Sequence, residues 1–269
     1  MKNFKMLCLD IDGTLLNSKH EITEVTMKLI KKVVDEKQVK VILVSARMPC
    51  GIDYLQRQLQ IEAPIICYSG SLVLDKKYNV ISNNYIGLNL VLEMIEEAKK
   101  ENMHISLYKD NEWIIENRDN WARIESEITG INPKVLNFKE IECTEKYKLG
   151  FNKVLIIENE EKIKKISDIL TKKLGDKLNI YQSKPTYLEI MNKSVSKTSA
   201  IQQLMNLYNI EKDEVVSIGD NFNDIDMIKF AGIGVAMGNA PDEVKKNSDY
   251  VTLSNDEDGV ANVIKKYFI

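Results

Sequence analysis

Apolar and polar positions alternate along the chain in two different rhythms. Met6 to Ile11 is a nearly unbroken apolar run that stops at Gly13-Thr14. A short run of this kind, bounded by a turn, predicts a strand buried on both faces, as in a parallel sheet. Ile22, Val25, Leu29, Ile30 and Val33 then recur at helical spacing, and Val39 to Val44 forms a second strand-like run ending in Ser45-Ala46-Arg47. A further helical pattern (Ile52, Leu55, Leu59) leads to Ile65-Ile66-Cys67. The rhythm returns near the other end. A helix from about Thr198 carries Ile201, Leu204, Met205 and Tyr208 on one face. The run Val215 to Ile218 follows, then a short helix with Ile225, Met227 and Ile228, then Ile233 to Ala236.

This β-α-β alternation predicts an α/β fold with a doubly wound, mostly parallel, Rossmann-like sheet. The middle of the chain differs. Helical patterns over Leu88 to Lys100 and Glu160 to Lys173 alternate with paired strand-like stretches, such as His104 to Tyr108 against Glu112 to Glu116 across a turn at Lys109-Asp110-Asn111. The reading is a discontinuous core, residues 1–81 and 192–269, carrying an inserted α+β domain over 82–191.

Composition narrows the classes. The 269 residues are 44% hydrophobic and 29% charged, enough for a sizeable core under a solvated surface. Net charge is -3, with both signs interspersed and no basic block that would track a nucleic acid backbone. The four cysteines, Cys8, Cys50, Cys67 and Cys143, form no CxxC pair and suggest neither zinc nor a disulfide framework. Cys8 and Cys67 read as small core residues. No apolar stretch approaches the roughly 20 residues of a membrane helix, and the N-terminus has no signal-peptide pattern. A cytoplasmic protein is expected, a monomer or small homo-oligomer with no nucleic acid or membrane partner.

Ligands of open α/β sheets bind beyond the carboxyl ends of the strands, and four such ends hold polar residues. At the first, Asp10-Ile11-Asp12-Gly13-Thr14, residues two apart at a strand end point the same way, so Asp10 and Asp12 would face one site. Adjacent carboxylates need a cation or a shared proton; an Asx-type turn is the plainer alternative. At the second, Ser45 can offer its hydroxyl and the following N–H groups to an anion, or serve as a helix N-cap. The third is Lys197, a point charge suited to a phosphoryl group, although a lone lysine is more often solvated. Lys193 competes with it, but spacing to the helix favours Lys197. At the fourth, Gly219-Asp220-Asn221-Phe222-Asn223-Asp224, Asp220 would lie beside Asp10 if the two strands are neighbours. That set suits a hard cation such as Mg²⁺; a helix start rich in Asp and Asn is the alternative.

In this order the four segments resemble the haloacid dehalogenase-like hydrolase superfamily, in particular its Cof-type phosphatases with a large inserted cap. Asp10 to Thr14 matches DxDGT, Ser45 the hydroxyl motif, Lys197 the lysine motif and Gly219 to Asp224 the GDxxND motif. The resemblance implies a Mg²⁺-dependent phosphatase of small phosphoesters, sugar phosphates among them, working through an aspartyl-phosphate. Asp10 would be nucleophile and metal ligand. Asp12 would protonate the leaving oxygen, then activate water, and would bind metal through its carbonyl. Asp220 would complete the metal ligands, with Asp224 a supporting or additional acid. Ser45, Lys197 and Asn223 would hold phosphoryl oxygens, helped by the N–H groups of Ile11 and Ala46. A sugar phosphomutase and a non-catalytic phosphometabolite-binding module remain as alternatives on the same fold.

Two features depart from the pattern. Ser69-Gly70-Ser71 stands where family members often carry Asn-Gly, and Met48-Pro49-Cys50 opens a helix that tolerates proline in its first turn. His20, His104, Trp113, Trp121, Arg118 and Arg123 read as packing or surface residues.

Overall fold

The computed structural model describes residues 4–269. They divide into two compact units, one holding the chain to Arg47, Ile52–Ile81 and Ser196–Ile269, the other Met48–Gly51 and Ser82–Val195.

The first unit opens with β1 (Met6–Leu9), α1 (Glu24–Lys37), β2 (Lys40–Val44), α2 (Pro49–Leu59, from Ile52 on), β3 (Ile65–Cys67), β4 (Leu72–Leu74) and β5 (Val80–Asn83, through Ile81). The second unit carries α3 (Leu88–Lys100), β6 (His104–Lys109), β7 (Glu112–Ile115), α4 (Asn120–Thr129), β8 (Lys134–Val135), β9 (Lys153–Ile157), α5 (Glu160–Leu174), β10 (Leu178–Lys184) and β11 (Tyr187–Asn192). The chain then returns to the first unit through α6 (Lys197–Tyr208), β12 (Val215–Gly219), α7 (Ile225–Phe230), β13 (Ile233–Ala236), α8 (Asp242–Lys246), β14 (Tyr250–Val251) and α9 (Gly259–Tyr267).

The larger sheet runs β14-β13-β12-β1-β2-β3-β4-β5. Pairing is parallel from β14 to β3 and turns antiparallel at β3–β4. Alternation along the strands feeds two faces. Met6, Cys8, Ile42, Val44 and Ile66 pack with Ala200, Ile201, Leu204 and Met205 of α6. The intervening Leu7, Leu9, Val41 and Leu43 are equally buried on the opposite face. Full burial of one such side chain is worth about 1.5–3 kcal/mol. That is why these strands read as unbroken apolar runs. The consequence for chemistry is that only strand ends are available to polar groups. The first strand, at the centre of the sheet, is flanked by β12 with Leu9 opposite Ile218 and by β2 with Leu9 opposite Leu43.

The second unit is a six-stranded sheet, β10-β11-β9-β6-β7-β8. One face, with Ile105, Leu107, Val154, Ile156, Leu188 and Ile190, packs on the apolar stripes of α3 and α5. The hairpin at Lys109-Asp110-Asn111 is present, with Lys109 opposite Glu112 and Asp110 at φ 51° in the turn. Residues 192–195 group with this unit because Lys193 N–H donates to Lys177 O (3.0 Å) and Asn179 Nδ2 to Val195 O (2.9 Å). Met48–Gly51 groups there too, Cys50 N–H donating to Asn111 Oδ1 at 2.9 Å. Helix α2 begins at Pro49, as its fixed φ favours. His104 is buried in a side-chain chain: Trp113 Nε1 donates to Ser106 Oγ (2.8 Å), which lies 2.7 Å from His104 Nε2, and His104 Nδ1 lies 2.8 Å from Asp119 Oδ2. Trp113 stacks on Tyr108, and Arg123 is tied to Glu127 and Asn120. Among the described residues, no helix is long and apolar enough to cross a membrane.

Candidate active site

The site lies within the first unit, where β1, β2 and β12 end side by side. Parallel pairing of β1 with β12 places Asp10 just past Leu9 and Asp220 just past Gly219. Asp10 N–H donates to Ile218 O at 3.0 Å, so the ladder carries this residue into place. Carboxylate oxygens of Asp10, Asp220 and Asp224 all come within 4.8 Å of one another. Asp10 is only 7% exposed and Asp224 is fully buried.

Lys197 is the counter-charge. It is the first residue of α6, whose N-cap Ser196 forms a capping box with Ser199. Its Nζ lies 2.5 Å from Asp10 Oδ1 and 2.6 Å from Asp224 Oδ1. Lys193, the rival, is exposed. Gly70 sets the approach of this helix start: a Cβ there would lie 2.3 Å from Ser196 O. That explains why a glycine serves in Ser69-Gly70-Ser71, where Ser69 N–H also donates to Ser45 O at 2.8 Å.

Asp224 is occupied on both oxygens. Besides Lys197 on Oδ1, its Oδ2 accepts the N–H groups of Asp220 (3.1 Å) and Asn221 (3.0 Å). It therefore braces the loop and aims the ammonium, leaving Asp10 and Asp220 as the carboxylates with capacity to spare. Thr14 Oγ1 donates to Asp220 Oδ1 at 2.8 Å. The strand ends are in contact here, since a Cβ on Gly13 would fall 2.4 Å from Asp220 Oδ2.

Electrostatics follow from burial. Burial pushes the Asp10 carboxyl well above the ordinary carboxylate range; Lys197 opposes this, while Asp224 and Asp220 add to it. Asp220 is pushed up to about 7, chiefly by burial and then by Asp224. Burial alone would depress Lys197, but Asp10 and Asp224 outweigh it and hold the ammonium above its usual value. Three carboxylates against one ammonium leave an excess of two negative charges when all are ionised. A hard divalent cation with oxygen ligands fits that excess and that donor set.

The other expected residues fall into distinct places. Ser45, 2% exposed, follows β2 directly and accepts Arg47 N–H on Oγ at 3.1 Å, so its hydroxyl proton points elsewhere and can serve an anion. It is not the cap of α2, which starts at Pro49. Ile11 is buried, its carbonyl accepting from Thr14 and Leu16. Ala46 lies between Ser45 and Arg47 at the same strand end. Asn223 Oδ1 is a buried acceptor with no hydrogen-bond partner among the described residues, beside Asp224.

Asp12 departs from the strand-alternation expectation. The strand ends at Leu9, and the backbone turns before Asp12. Its half-exposed carboxylate lies outside the three clustered acids yet adds to the rise of Asp220, and it faces Arg47, with Nε 2.9 Å from Oδ2 and Nη2 2.6 Å from Oδ1. Sequence reasoning gave no role to Arg47, to Thr14, or to Asn239, whose Nδ2 donates to Gly13 O at 2.9 Å. Thr14 and Arg47 stood inside quoted motifs; Asn239 carried no signal.

Comparison with known proteins agrees with this geometry. A family profile described as haloacid dehalogenase-like hydrolase matches residues 7–264. A Haemophilus influenzae protein provisionally named a phosphatase is 33% identical over 267 residues, 98% of each chain. The 5-amino-6-(5-phospho-D-ribitylamino)uracil phosphatase YcsE of Bacillus subtilis is 30% identical over 268 residues, 99% of this chain and 97% of that one. A haloacid dehalogenase-like hydrolase from Bacteroides thetaiotaomicron superposes with a TM-score of 0.90 at 32% identity, covering 98% of this chain and 100% of that one. With its α/β fold and its acids at neighbouring strand ends, the chain belongs to the haloacid dehalogenase-like hydrolase family, among its phosphatases.

Proposed function

We propose that the protein is a Mg²⁺-dependent phosphatase of small phosphorylated metabolites, sugar phosphates among them, working through an aspartyl-phosphate on Asp10. The observation that carries this reading is the buried Asp10 carboxylate, 2.5 Å from Lys197 and clustered with Asp220 and Asp224. The activity named for YcsE, on a phosphorylated ribityl compound, supports the substrate class. The same reading places the protein in the cytoplasm, as a monomer or small homo-oligomer acting on small molecules.

Asp10 and Asp220, with the Asp12 carbonyl, would hold the ion, which supplies positive charge against the carboxylate and the phosphoryl group. The chain's own groups do the rest. Lys197 draws charge from Asp10 and from a phosphoryl oxygen, so that two anions can approach. Ser45 and Asn223 hold other phosphoryl oxygens with the N–H groups of Ile11 and Ala46. Asp10 attacks phosphorus; the bond to the leaving oxygen breaks, and that oxygen takes a proton from Asp12. Water then attacks the phosphoaspartate, gives a proton back to Asp12, and the bond to Asp10 breaks with its electron pair returning to the carboxylate. Alcohol and phosphate are the products.

The test is release of inorganic phosphate from p-nitrophenyl phosphate and a panel of sugar phosphates, with Mg²⁺, by wild type and Asp10→Asn. Phosphate release by wild type and none by the variant is expected. Equal activity in both, or transfer without free phosphate, contradicts the reading.

A further inference from the structure

Arg47 follows the phosphate-binding strand end, yet its side chain turns to Asp12. Two parallel bonds, Nε to Oδ2 (2.9 Å) and Nη2 to Oδ1 (2.6 Å), engage both carboxylate oxygens. The Asp12 side chain is half exposed, at 51%, while Arg47 is 28% exposed. An exposed Asp in a turn would otherwise sample several rotamers. A bidentate guanidinium fork removes that freedom and fixes the plane of the carboxylate. Arg47 is itself held, because its N–H donates to Ser45 Oγ (3.1 Å) and its carbonyl accepts from Tyr68 N–H (3.1 Å). Its backbone is thus tied to the end of β2 and to the turn after β3, and the fork reaches across to the turn after β1.

We propose that Arg47 is a positioning residue for Asp12, orienting its carboxylate as the base of the second half-reaction. This rests on the phosphatase reading above. In that step a water proton passes to an Asp12 oxygen as the water oxygen bonds to phosphorus, and the phosphorus–Asp10 bond breaks toward Asp10. Arg47 bonds neither phosphorus nor the attacking water; through its two bonds to the Asp12 carboxylate it sets where the accepting oxygen stands. The first half-reaction with p-nitrophenyl phosphate needs little from Asp12, because nitrophenolate leaves without a proton. Loss of Arg47 therefore slows breakdown of the phosphoenzyme while leaving its formation intact.

The experiment is pre-steady-state release of p-nitrophenolate by wild type, Arg47→Met and Arg47→Lys, each full-length and with Mg²⁺. For Arg47→Met a burst close to one product per active site is expected at the wild-type rate constant. The steady phase after it should slow by roughly 10- to 100-fold, at or below the low end of the ~10²–10⁴ that a positioned base contributes, because Asp12 itself remains. Arg47→Lys keeps the charge but offers no fork, so it should fall between; it carries the test if the methionine variant does not fold. Burst and steady phases falling together, or a steady phase at the wild-type rate, overturns the proposal while the phosphatase reading stands. A wild type inert toward the ester removes both.

Discussion

Lys197 and Asp10, 187 positions apart in the chain, meet at 2.5 Å in the interior of the first unit. The contact depends on two local events, the end of β1 at Leu9 and the start of α6 at Lys197. Because Lys197 is the cation facing Asp10 and Asp224, its removal leaves two buried carboxylates without their partner. Breaking such a pair typically costs about 3–5 kcal/mol. Lys197→Met is expected to lower the unfolding free energy by about that amount at neutral pH in the presence of chelator, and to abolish phosphate release. Urea denaturation checks it; a loss under about 1 kcal/mol would show that the ammonium is not the main compensating charge.

Metal and pH act on the same acids in opposite directions. An acid whose folded value is raised favours the folded state only while protonated, so stability falls as pH climbs from the ordinary carboxylate value to the raised one. For Asp220 that window runs from 3.8 to about 7, and Asp10, raised well above the same starting value, adds to the fall. In chelator, the Tm is expected to fall across this window. Mg²⁺ should restore it at the upper end and have little effect at the lower end, where the acids are protonated. Differential scanning calorimetry at several pH values decides the matter. A Tm in chelator that is flat with pH, or Mg²⁺ stabilisation that is strongest in acid, contradicts it.

Gly70 offers a steric test. Its φ is +106°, and an added Cβ would meet the Ser196 carbonyl at 2.3 Å. Gly130 also has positive φ, +69°, but an added Cβ there meets nothing within 4 Å. Gly70→Ala should cost about 2–4 kcal/mol from strain and overpacking together. It should also reduce kcat, because the start of α6 carries Lys197. Gly130→Ala should cost only the backbone part, about 1–2 kcal/mol. Equal costs would show that the helix start moves freely away from the turn.

In the second unit, Ser106 sits between Trp113 and His104. Ser106→Ala leaves the indole N–H and the imidazole Nε2 buried without a partner, which costs roughly 1–3 kcal/mol. Chemical denaturation measures it. A neutral outcome would mean that the cavity admits water.

Strand ends were legible because burial on both sheet faces forces unbroken apolar runs, and the polar residues after Leu9, Val44 and Ile218 stand out against them. That β1 and β12 are neighbours could be conjectured from motif order alone, and the parallel pairing supplies it. What the pattern did not show was the partner of Asp12. Alternation holds only while the backbone stays extended; here it turns after Leu9, and an arginine 35 residues away captures the carboxylate. Asp224 was legible as an acid but not as a brace, since its two N–H partners depend on the fold of its own loop. Asn239 reaches Gly13 across 226 residues, a contact with no local signature.

The most direct test of the account is mass spectrometry of the protein, acid-quenched within the first turnover of p-nitrophenyl phosphate in Mg²⁺ and digested. The account predicts one added phosphoryl group on the peptide containing Asp10, absent in Asp10→Asn. A phosphoryl group on another residue, or active turnover with no covalent adduct and an Asp10→Asn variant as fast as wild type, would contradict it.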